Sequence, residues 1–322
     1  MRVIQHDEFG APSVLQNREA DVPEPGPGEL LVRCEAIGVD YAAVQRRHGV
    51  PIGFPVKLPS IPGGDVAGHV VASGEDVTNF PERIVTEVGG GAYAEYVVVD
   101  AEHVVPIPKG LDAATAVALL TPGQTAYHAL TASGRLQPGE TVLVNAASGG
   151  VGHLAVQLAK EMGAGTVIGT ASSQAKLELV RSLGADHVID YTRDDWTSQV
   201  QAVAGDGVDV ILEVVGGKVL RQSAELLAPF GRMVVYGSAS GDEIPPMDID
   251  LRSMKTVTGF SIHAMLTRRA EAVGRGWNDL LAMVSKGSVQ PLVNRTFALE
   301  EAAQAHTLME ERRHTGRVVL VP

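Results

Sequence analysis

The pattern of apolar and polar positions changes its character part-way along the chain. Over about the first 110 residues, β-branched runs are separated by turn-rich segments such as PEPGPGE, LPSIPGGD and VGGGAYAEYVVV. Strands and helices do not alternate there, so this part is predicted to form an irregular β-rich barrel. A helical pattern follows from Leu111 to about Ser133, with an interruption at Pro122 and Gly123.

From Thr141 onward, short apolar strands alternate with helices of about ten to fifteen residues. The predicted strands lie near 141–147, 166–170, 187–191, 208–215, 232–237 and 256–260. Right-handed crossovers between such strands cover both faces of a sheet, so the pattern predicts an α/β fold with a doubly wound, six-stranded parallel sheet. Two helices, near 271–286 and 299–311, and a final strand GRVVLVP do not continue the alternation. We therefore expect the C-terminus to return and complete the first domain.

The stretch TVLVNAASGGVGHLAVQLAK, residues 141–160, combines a strand, a turn and a helix. Ala147, Gly149 and Gly152 stand at the spacing of G-x-G-x-x-G, with the first glycine replaced by alanine. Apolar residues from Val151 to Ala159 recur at helical spacing, so one stripe of the helix can lie on the sheet. Glycines and a helix N-terminus at this point can hold a pyrophosphate. The turn is interpreted as a dinucleotide site, the alternative being a tight turn without a ligand.

Composition restricts the class of protein. The 322 residues, 45% hydrophobic and 20% charged, suffice for two cores. No apolar run is long enough for a membrane span, and the acids in MRVIQHDEFG are unlike a signal peptide, so we expect a cytoplasmic protein. A net charge of −12 argues against nucleic acid and anionic membranes as partners.

Cys34 is the only cysteine, so an internal disulfide is excluded. It alternates with Arg33 and Glu35 in LLVRCEAIGV, which predicts a core-facing strand position. A reactive thiol is the alternative.

The end of the second strand of the parallel sheet selects the nucleotide. An acid there binds the ribose hydroxyls of NAD and repels the added phosphate of NADP. The segment TVIGTASSQAK has no acid between Val167 and Lys176. Ser172 and Ser173 can donate hydrogen bonds, and Lys176 can pair with a phosphate or be an ordinary exposed lysine. These residues predict NADPH as the cofactor, with Tyr191 as a wall beside the adenosine.

Five segments in this order, GGAYAEYVVV, AASGGVG, GADHVIDY, APFGRMVVYG and TGRVVLVP, resemble the medium-chain dehydrogenase/reductase superfamily. Within it, the chain looks like the zinc-independent quinone oxidoreductase branch. The resemblance implies a Rossmann domain at 121–261 that binds NADPH and a GroES-like substrate domain formed by 1–120 and 262–322. It also implies a nicotinamide held in the cleft between the domains, and a homodimer formed through the edge strand near Thr256 to Phe260.

The resemblance assigns roles to particular residues by position. Gly149, Gly150 and Val151 should meet the pyrophosphate, while strand-end residues should frame the nicotinamide ring and its ribose. The complete set of predicted cofactor residues is Thr125, Ser148, Gly149, Gly150, Val151, Gly152, Thr170, Ser172, Lys176, Tyr191, Val214, Gly237, Phe260 and Ser261.

Alcohol dehydrogenases of this superfamily hold a catalytic zinc with a cysteine after an early GV pair and with a GHE motif. The corresponding segments here are GVDYAA and PGGDVAG, with Asp40, Gly64 and Asp65 in place of these ligands. A structural zinc would need four clustered cysteines. His48 and His69 are expected to be ordinary surface or core residues. The sequence therefore predicts no metal site.

Without a Lewis acid, hydride transfer is favoured to acceptors that are already electron-poor, such as quinones and conjugated carbonyls. Tyr41 is the candidate donor to the developing oxyanion, or else an aromatic residue packed in the wall. Asp40 stands where many relatives have asparagine, either as a tuned hydrogen-bond acceptor or as a structural acid at a turn. Relatives that reduce enoyl thioesters often carry a tyrosine after the RxG segment, whereas here the residues from His48 to Pro51 are HGVP. The usual proton donor of enoyl reductases is therefore missing, which favours quinone over thioester substrates.

The leading hypothesis is an NADPH-dependent quinone reductase with Tyr41 and Asp40 as candidate catalytic residues. An NADPH-dependent alkenal or enone (enoyl) double-bond reductase is the first alternative. An NADPH-binding sensor or structural protein with little turnover is the second.

Overall fold

The structure is a computed structural model that describes every residue except 53–54, 243–245 and 247–250. The chain divides into two compact units, each with a hydrophobic core of its own. The first unit contains Met1–Thr121 and Leu292–Pro322, and the second contains Pro122–Pro291.

The first unit begins with strands and two short helices. Its elements are β1 (Arg2–Gln5), β2 (Gln16–Glu19), β3 (Glu29–Val39), α1 (Tyr41–Arg47), β4 (Asp65–Ser73), β5 (Arg83–Glu87), β6 (Tyr96–Asp100), β7 (Val105–Pro106) and α2 (Ala113–Ala118), with 3-10 turns at Pro12–Val14 and Ala101–His103. β3 is the longest strand and pairs antiparallel with both β4 and β6. Its side chains are buried on both faces over 30–32 and 36–39, and they alternate only around Cys34, which is buried as the pattern predicts. Burial raises the pKa of the Cys34 thiol to about 12.

The second unit contains the alternating strands and helices. Its elements are α3 (Gln124–His128), β8 (Thr141–Val144), α4 (Gly152–Glu161), β9 (Thr166–Ala171), α5 (Gln174–Ser182), β10 (His187–Asp190), α6 (Trp196–Ala204), β11 (Val208–Glu213), α7 (Gly217–Glu225), β12 (Leu227–Val235), β13 (Thr256–Gly259), α8 (Ile262–Arg268) and α9 (Ala270–Lys286). π-Helical turns lie at Leu119–Gly123 and Ala129–Ser133, and a 3-10 turn lies at Leu251–Ser253.

All six strands of this sheet pair in parallel, in the order β10-β9-β8-β11-β12-β13. This is the doubly wound arrangement that the sequence predicts, and β13 lies at one edge. The order reverses between β8 and β11, and ligands of such sheets bind outside the carboxyl ends of the strands at that point. α4 follows β8 there. It is buried on all sides from Gly152 to Ala159, and not along a single stripe as the sequence pattern predicts, because both the sheet and α3 pack against it.

The last residues return to the first unit as β14 (Val293–Ala298), a 3-10 turn at Leu299–Glu301, α10 (Ala302–Glu310) and β15 (Arg317–Val321). β15 pairs antiparallel with β3 and parallel with β14, so the predicted return of the C-terminus is confirmed.

The stretch 262–291 differs from its predicted assignment, because it lies in the second unit and not in the first. The physical reason is that α9 packs on α3. Trp277 and Leu280 of α9 are buried, and the side chain of Gln124 donates a hydrogen bond to the carbonyl of Val273 at 2.9 Å. Among the described helices, none has both the length and the apolar character that crossing a membrane requires.

Candidate cofactor and substrate sites

The turn after β8 presents uncapped backbone donors at the start of α4. Gly149 donates its N–H to the carbonyl of Ala146 at 3.0 Å, and Ala147 donates to the carbonyl of Thr170 at 2.8 Å, which fixes the turn against β9. Val151 occupies the N-cap position of α4, and its side chain cannot accept a hydrogen bond. The N–H groups of His153 and Leu154 donate to the carbonyls of Gly149 and Val151, so the donors that an anion can satisfy are the N–H groups from Gly150 to Gly152.

Two glycines of this turn serve different purposes. A Cβ on Gly152 would lie 2.4 Å from the carbonyl oxygen of Ala146 and 2.7 Å from the Cα of Ala147, so only glycine lets the helix begin this close to the strand end. A Cβ on Gly149 would meet only the Ala146 oxygen, at 3.3 Å. Apart from its chain neighbours, nothing else lies within 4 Å of that Cβ position. Close packing at one glycine and open space at the other fit a bound pyrophosphate, which needs backbone N–H groups that it can approach.

A buried polar network lies beneath the turn. Asn145 donates from Nδ2 to the carboxylate of Glu213 and to Ser223 Oγ at 2.8 Å, and it accepts from Thr170 Oγ1 at 2.8 Å. Gly216 N donates to Glu213 Oε1 at 2.8 Å, and burial raises the pKa of Glu213. The network joins the carboxyl ends of β8, β9 and β11, and the hydroxyl of Thr170 is therefore used inside the protein.

Sequence reasoning did not single out Asn145, Glu213 or Ser223. All three are fully buried. Asn145 and Glu213 each stand at the end of an apolar strand. A polar residue in that position was the sequence signal that could have indicated a buried hydrogen-bond network.

The end of β9 has the polar residues predicted for nucleotide selection. Ser172 is half-buried, while Ser173 is exposed at the N-cap of α5 and makes no capping hydrogen bond with its side chain. Lys176 is half-buried in the first turn of α5. Tyr191 is half-buried directly after β10, and its N–H donates to the carbonyl of Ala171 at 3.3 Å. Tyr191 and Ser172 are thus close to each other at the carboxyl ends of β10 and β9.

The remaining predicted cofactor residues of the sheet also lie at the carboxyl ends of its strands. Val214 follows β11, and a Cβ on Gly237 would lie 2.9 Å from Val214 Cγ2, so glycine leaves space beside that side chain. Phe260 is half-buried after β13 and donates its N–H to the carbonyl of Val235 at 2.9 Å. Ser261 is exposed and caps α8 by accepting from Ala264 N at 3.3 Å. Thr125 and Ser148 are both buried, on α3 and in the turn after β8 respectively.

Asp40 and Tyr41 lie at the start of α1 in the first unit. Asp40 is the N-cap residue, and its Oδ1 accepts a hydrogen bond from Ala43 N at 2.6 Å. This hydrogen bond fits the interpretation of Asp40 as a structural acid at a turn better than that of a tuned hydrogen-bond acceptor. Tyr41 is half-buried and packs against the hydrophobic core of its unit, which leaves part of the side chain accessible.

Asp65 is buried at the start of β4, beside the turn that contains Gly64. Its Oδ1 accepts from the hydroxyl of Thr121, and its Oδ2 accepts from the guanidinium of Arg317 on β15. Burial raises the pKa of Asp65 to about 7, although Arg317 opposes this change. A Cβ on Gly38 would lie 1.8 Å from Arg317 Nη2, so glycine at position 38 makes room for the pair.

Comparison with known proteins identifies the family. Residues 26–109 match the model of the alcohol dehydrogenase GroES-like domain, and residues 150–274 match that of the zinc-binding dehydrogenase family. The chain is 36% identical to the 2-haloacrylate reductase of a Burkholderia species, over 100% of this chain and 99% of that protein. It is 35% identical to the quinone oxidoreductase of Pseudomonas aeruginosa, over 99% of each chain. The chain belongs to the zinc-independent quinone oxidoreductase branch of the medium-chain dehydrogenase/reductase superfamily.

A solved structure of the same branch agrees with this assignment. The Escherichia coli quinone oxidoreductase, solved in complex with NADPH, is 29% identical to the chain, with a TM-score of 0.92 and full coverage of both chains. The predicted family and fold class are confirmed.

The superfamily's zinc does not fit the residues present at the corresponding positions. Gly64 has no side-chain ligand, one oxygen of Asp40 caps α1, and both oxygens of Asp65 are engaged by Thr121 and Arg317. In the part of the chain that the structure describes, no group of three or more potential ligand side chains could hold a metal ion. His69 lies 3.1 Å from Glu35, and His48 lies 2.6 Å from Glu310, so both histidines have carboxylate neighbours.

Proposed function

We propose that this protein is an NADPH-dependent quinone oxidoreductase that works without a metal ion. The observation that carries the metal-free part of the proposal concerns Asp65, which stands in the segment where alcohol dehydrogenases of the superfamily have a zinc-ligand motif. Both of its carboxylate oxygens already accept hydrogen bonds, one from Thr121 and the other from Arg317. Bound NADPH would supply a hydride, that is, two electrons with one hydrogen nucleus, and a quinone that also takes one proton becomes the hydroquinone. The protein's own contribution is to bind, to orient and to donate hydrogen bonds.

On the cofactor side, the turn at Gly149 and the uncapped start of α4 hold the pyrophosphate. Ser172, Ser173 and Lys176 at the end of β9 receive the adenosine phosphate, because no acid is present to repel it. The quinone oxidoreductase of Escherichia coli, solved with NADPH, supports this choice of cofactor.

On the acceptor side, the phenol of Tyr41 donates a hydrogen bond to the oxygen on which negative charge develops. Asp40 acts through this residue. By capping the first turn of α1 it fixes the helix start from which Tyr41 projects, so Asp40 is a positioning residue.

Reduction of a conjugated carbon–carbon double bond is the second candidate function. The similarity to a protein named 2-haloacrylate reductase favours it, since that name describes a conjugated acid as the substrate. The cofactor half of the site would be the same. Only the acceptor would differ, and its α-carbon would take the proton.

The test is steady-state NADPH oxidation against a panel of quinones, enals and enoyl thioesters, before and after treatment with a chelator. We expect turnover with quinones that the chelator does not change. Failure of every quinone together with turnover of enones would establish the second candidate instead. Tight NADPH binding without oxidation by any acceptor would indicate a sensor or structural protein.

A further inference from the structure

A cavity of about 260 Å³ lies entirely within the first unit, next to the proposed acceptor residues. α1 forms one side of it through Ala43, Arg46 and Arg47. Ala43 is also the residue whose N–H is bound by Asp40 at 2.6 Å, so the cavity adjoins the helix start from which Tyr41 projects. Typical ligand pockets measure about 300–1,000 Å³, so this cavity fits a small molecule or one end of a larger molecule.

The charges around the cavity are of one sign. Arg46, Arg47 and Lys57 line it, and none of the described lining residues is acidic. This is unusual for a chain whose net charge is −12. Arg46 is held in place by its Nε, which donates to the carbonyl of Ile52 at 3.1 Å. Lys57 is exposed. A cleft lined by charges of one sign concentrates ligands of the opposite sign.

Arg47 adds an observation that is independent of the charge count. Its side chain is fully buried, and its Nη2 contacts Glu310 and, at 2.6 Å, His48. Its Nε and Nη1 have no hydrogen-bond partner within the described residues. Buried guanidinium nitrogens normally have acceptors, and those without one indicate a missing oxygen ligand or a strained site.

We propose that this cavity receives the anionic group of the acceptor, so that the preferred acceptors are conjugated carbonyl compounds that carry a carboxylate or sulfonate. This inference rests on the proposed function, because it concerns the same acceptor. Oxyanions suit guanidinium donors, which offer several N–H groups in a fixed plane. The anion would anchor the acceptor on α1 while the carbonyl oxygen reaches the phenol of Tyr41.

Lys57→Glu is the main test variant, because Lys57 is exposed and its replacement should not disturb folding. Lys109→Glu is the matched control, since Lys109 is an exposed lysine of the same unit that does not line the cavity. The acceptors are a naphthoquinone sulfonate and the parent naphthoquinone. For each protein, kcat/KM for the sulfonate is divided by kcat/KM for the parent naphthoquinone, and this ratio is compared between the wild-type protein and the two variants. Because every protein is tested with the same two acceptors, the difference in intrinsic reactivity between the acceptors cancels.

We expect Lys57→Glu to lower the ratio of sulfonate to parent by about tenfold, and Lys109→Glu to leave it within about twofold. Equal ratios in the wild-type protein and Lys57→Glu would overturn the inference. A fall caused equally by Lys109→Glu would overturn it as well, since net charge alone would then explain the effect.

A binding measurement separates this inference from the proposed function. Benzoate and its neutral isostere benzamide are titrated into the protein without any acceptor, and binding is followed by ligand-observed NMR. If no quinone is reduced but benzoate binds better than benzamide and loses that advantage in Lys57→Glu, the anion site stands and the proposed function fails. If benzoate binds no better than benzamide, the inference fails, whatever the quinone assay shows.

Discussion

Gly149→Ala should separate cofactor binding from folding. Its new Cβ meets one protein atom, the Ala146 carbonyl oxygen at 3.3 Å, so a shift of a few tenths of an ångström accommodates it. We expect the free energy of unfolding to change by less than about 1 kcal/mol. The methyl group occupies the open side of the turn, where the pyrophosphate must approach backbone N–H groups. Loss of one such charged hydrogen bond costs about 1.5–3 kcal/mol, which raises the Kd for NADPH about tenfold to hundredfold.

The assay is NADPH binding by fluorescence titration, together with urea unfolding of the same preparations. Gly152→Ala is the informative contrast, because its Cβ would lie 2.4 Å from the Ala146 oxygen and would force α4 away from the strand. That variant should lose stability by about 1–3 kcal/mol as well as affinity. Gly274→Ala, whose Cβ meets nothing within 4 Å, is the control for NADPH affinity, and because position 274 is an exposed interior position of α9, its stability should rise by about 0.5–1 kcal/mol. An unchanged Kd for NADPH in a folded Gly149→Ala protein would refute the assignment of this turn to the pyrophosphate.

Three further predictions concern other residues. Tyr41→Phe should lower kcat by about tenfold or more while the Kd for NADPH stays within about twofold, and unchanged turnover would remove Tyr41 from the mechanism. Ser172→Asp should shift the ratio of NADPH to NADH affinity by about tenfold or more toward NADH, measured by titration with both, and an unchanged ratio would mean that the phosphate lies elsewhere. Burial, assisted by the charge of Arg47, lowers the pKa of His306 from 6.5 to about 3, so neutral His306 contributes stability that is complete above about pH 6.5 and is lost as pH falls toward 3. When pH is lowered from about 7 to about 5, the free energy of unfolding should fall by about 2 kcal/mol more in the wild-type protein than in His306→Gln. An equal fall in both proteins would contradict this reasoning.

The parallel sheet could be predicted because its information is local. Each strand is a short apolar run, each crossover helix has its own period, and right-handed crossovers leave few ways to assemble them. The turn at Gly149 was predictable for the same reason, since strand, glycines and helix lie within twenty consecutive residues. The assignment of α9 failed because an apolar helix face shows that a helix packs, and not which core it packs on.

The internal polar contacts could not be predicted, because they join residues that are far apart in the sequence. The Asp65–Arg317 pair depends on the register of β15 against β3 and on the absence of a side chain at Gly38. The network of Asn145 and Glu213 similarly requires β8 and β11 to be neighbours in the sheet. The sequence shows the residue types but not these distances. The predicted cofactor and catalytic residues, and the homodimer, stay predictions.

The most direct test of the account is one comparison of kcat/KM for NADPH and for NADH, with a single benzoquinone acceptor and chelator-treated protein. The account predicts full quinone turnover after chelation and a preference for NADPH of about tenfold or more. Equal use of NADH, or activity that disappears with the chelator and returns with zinc, would contradict it.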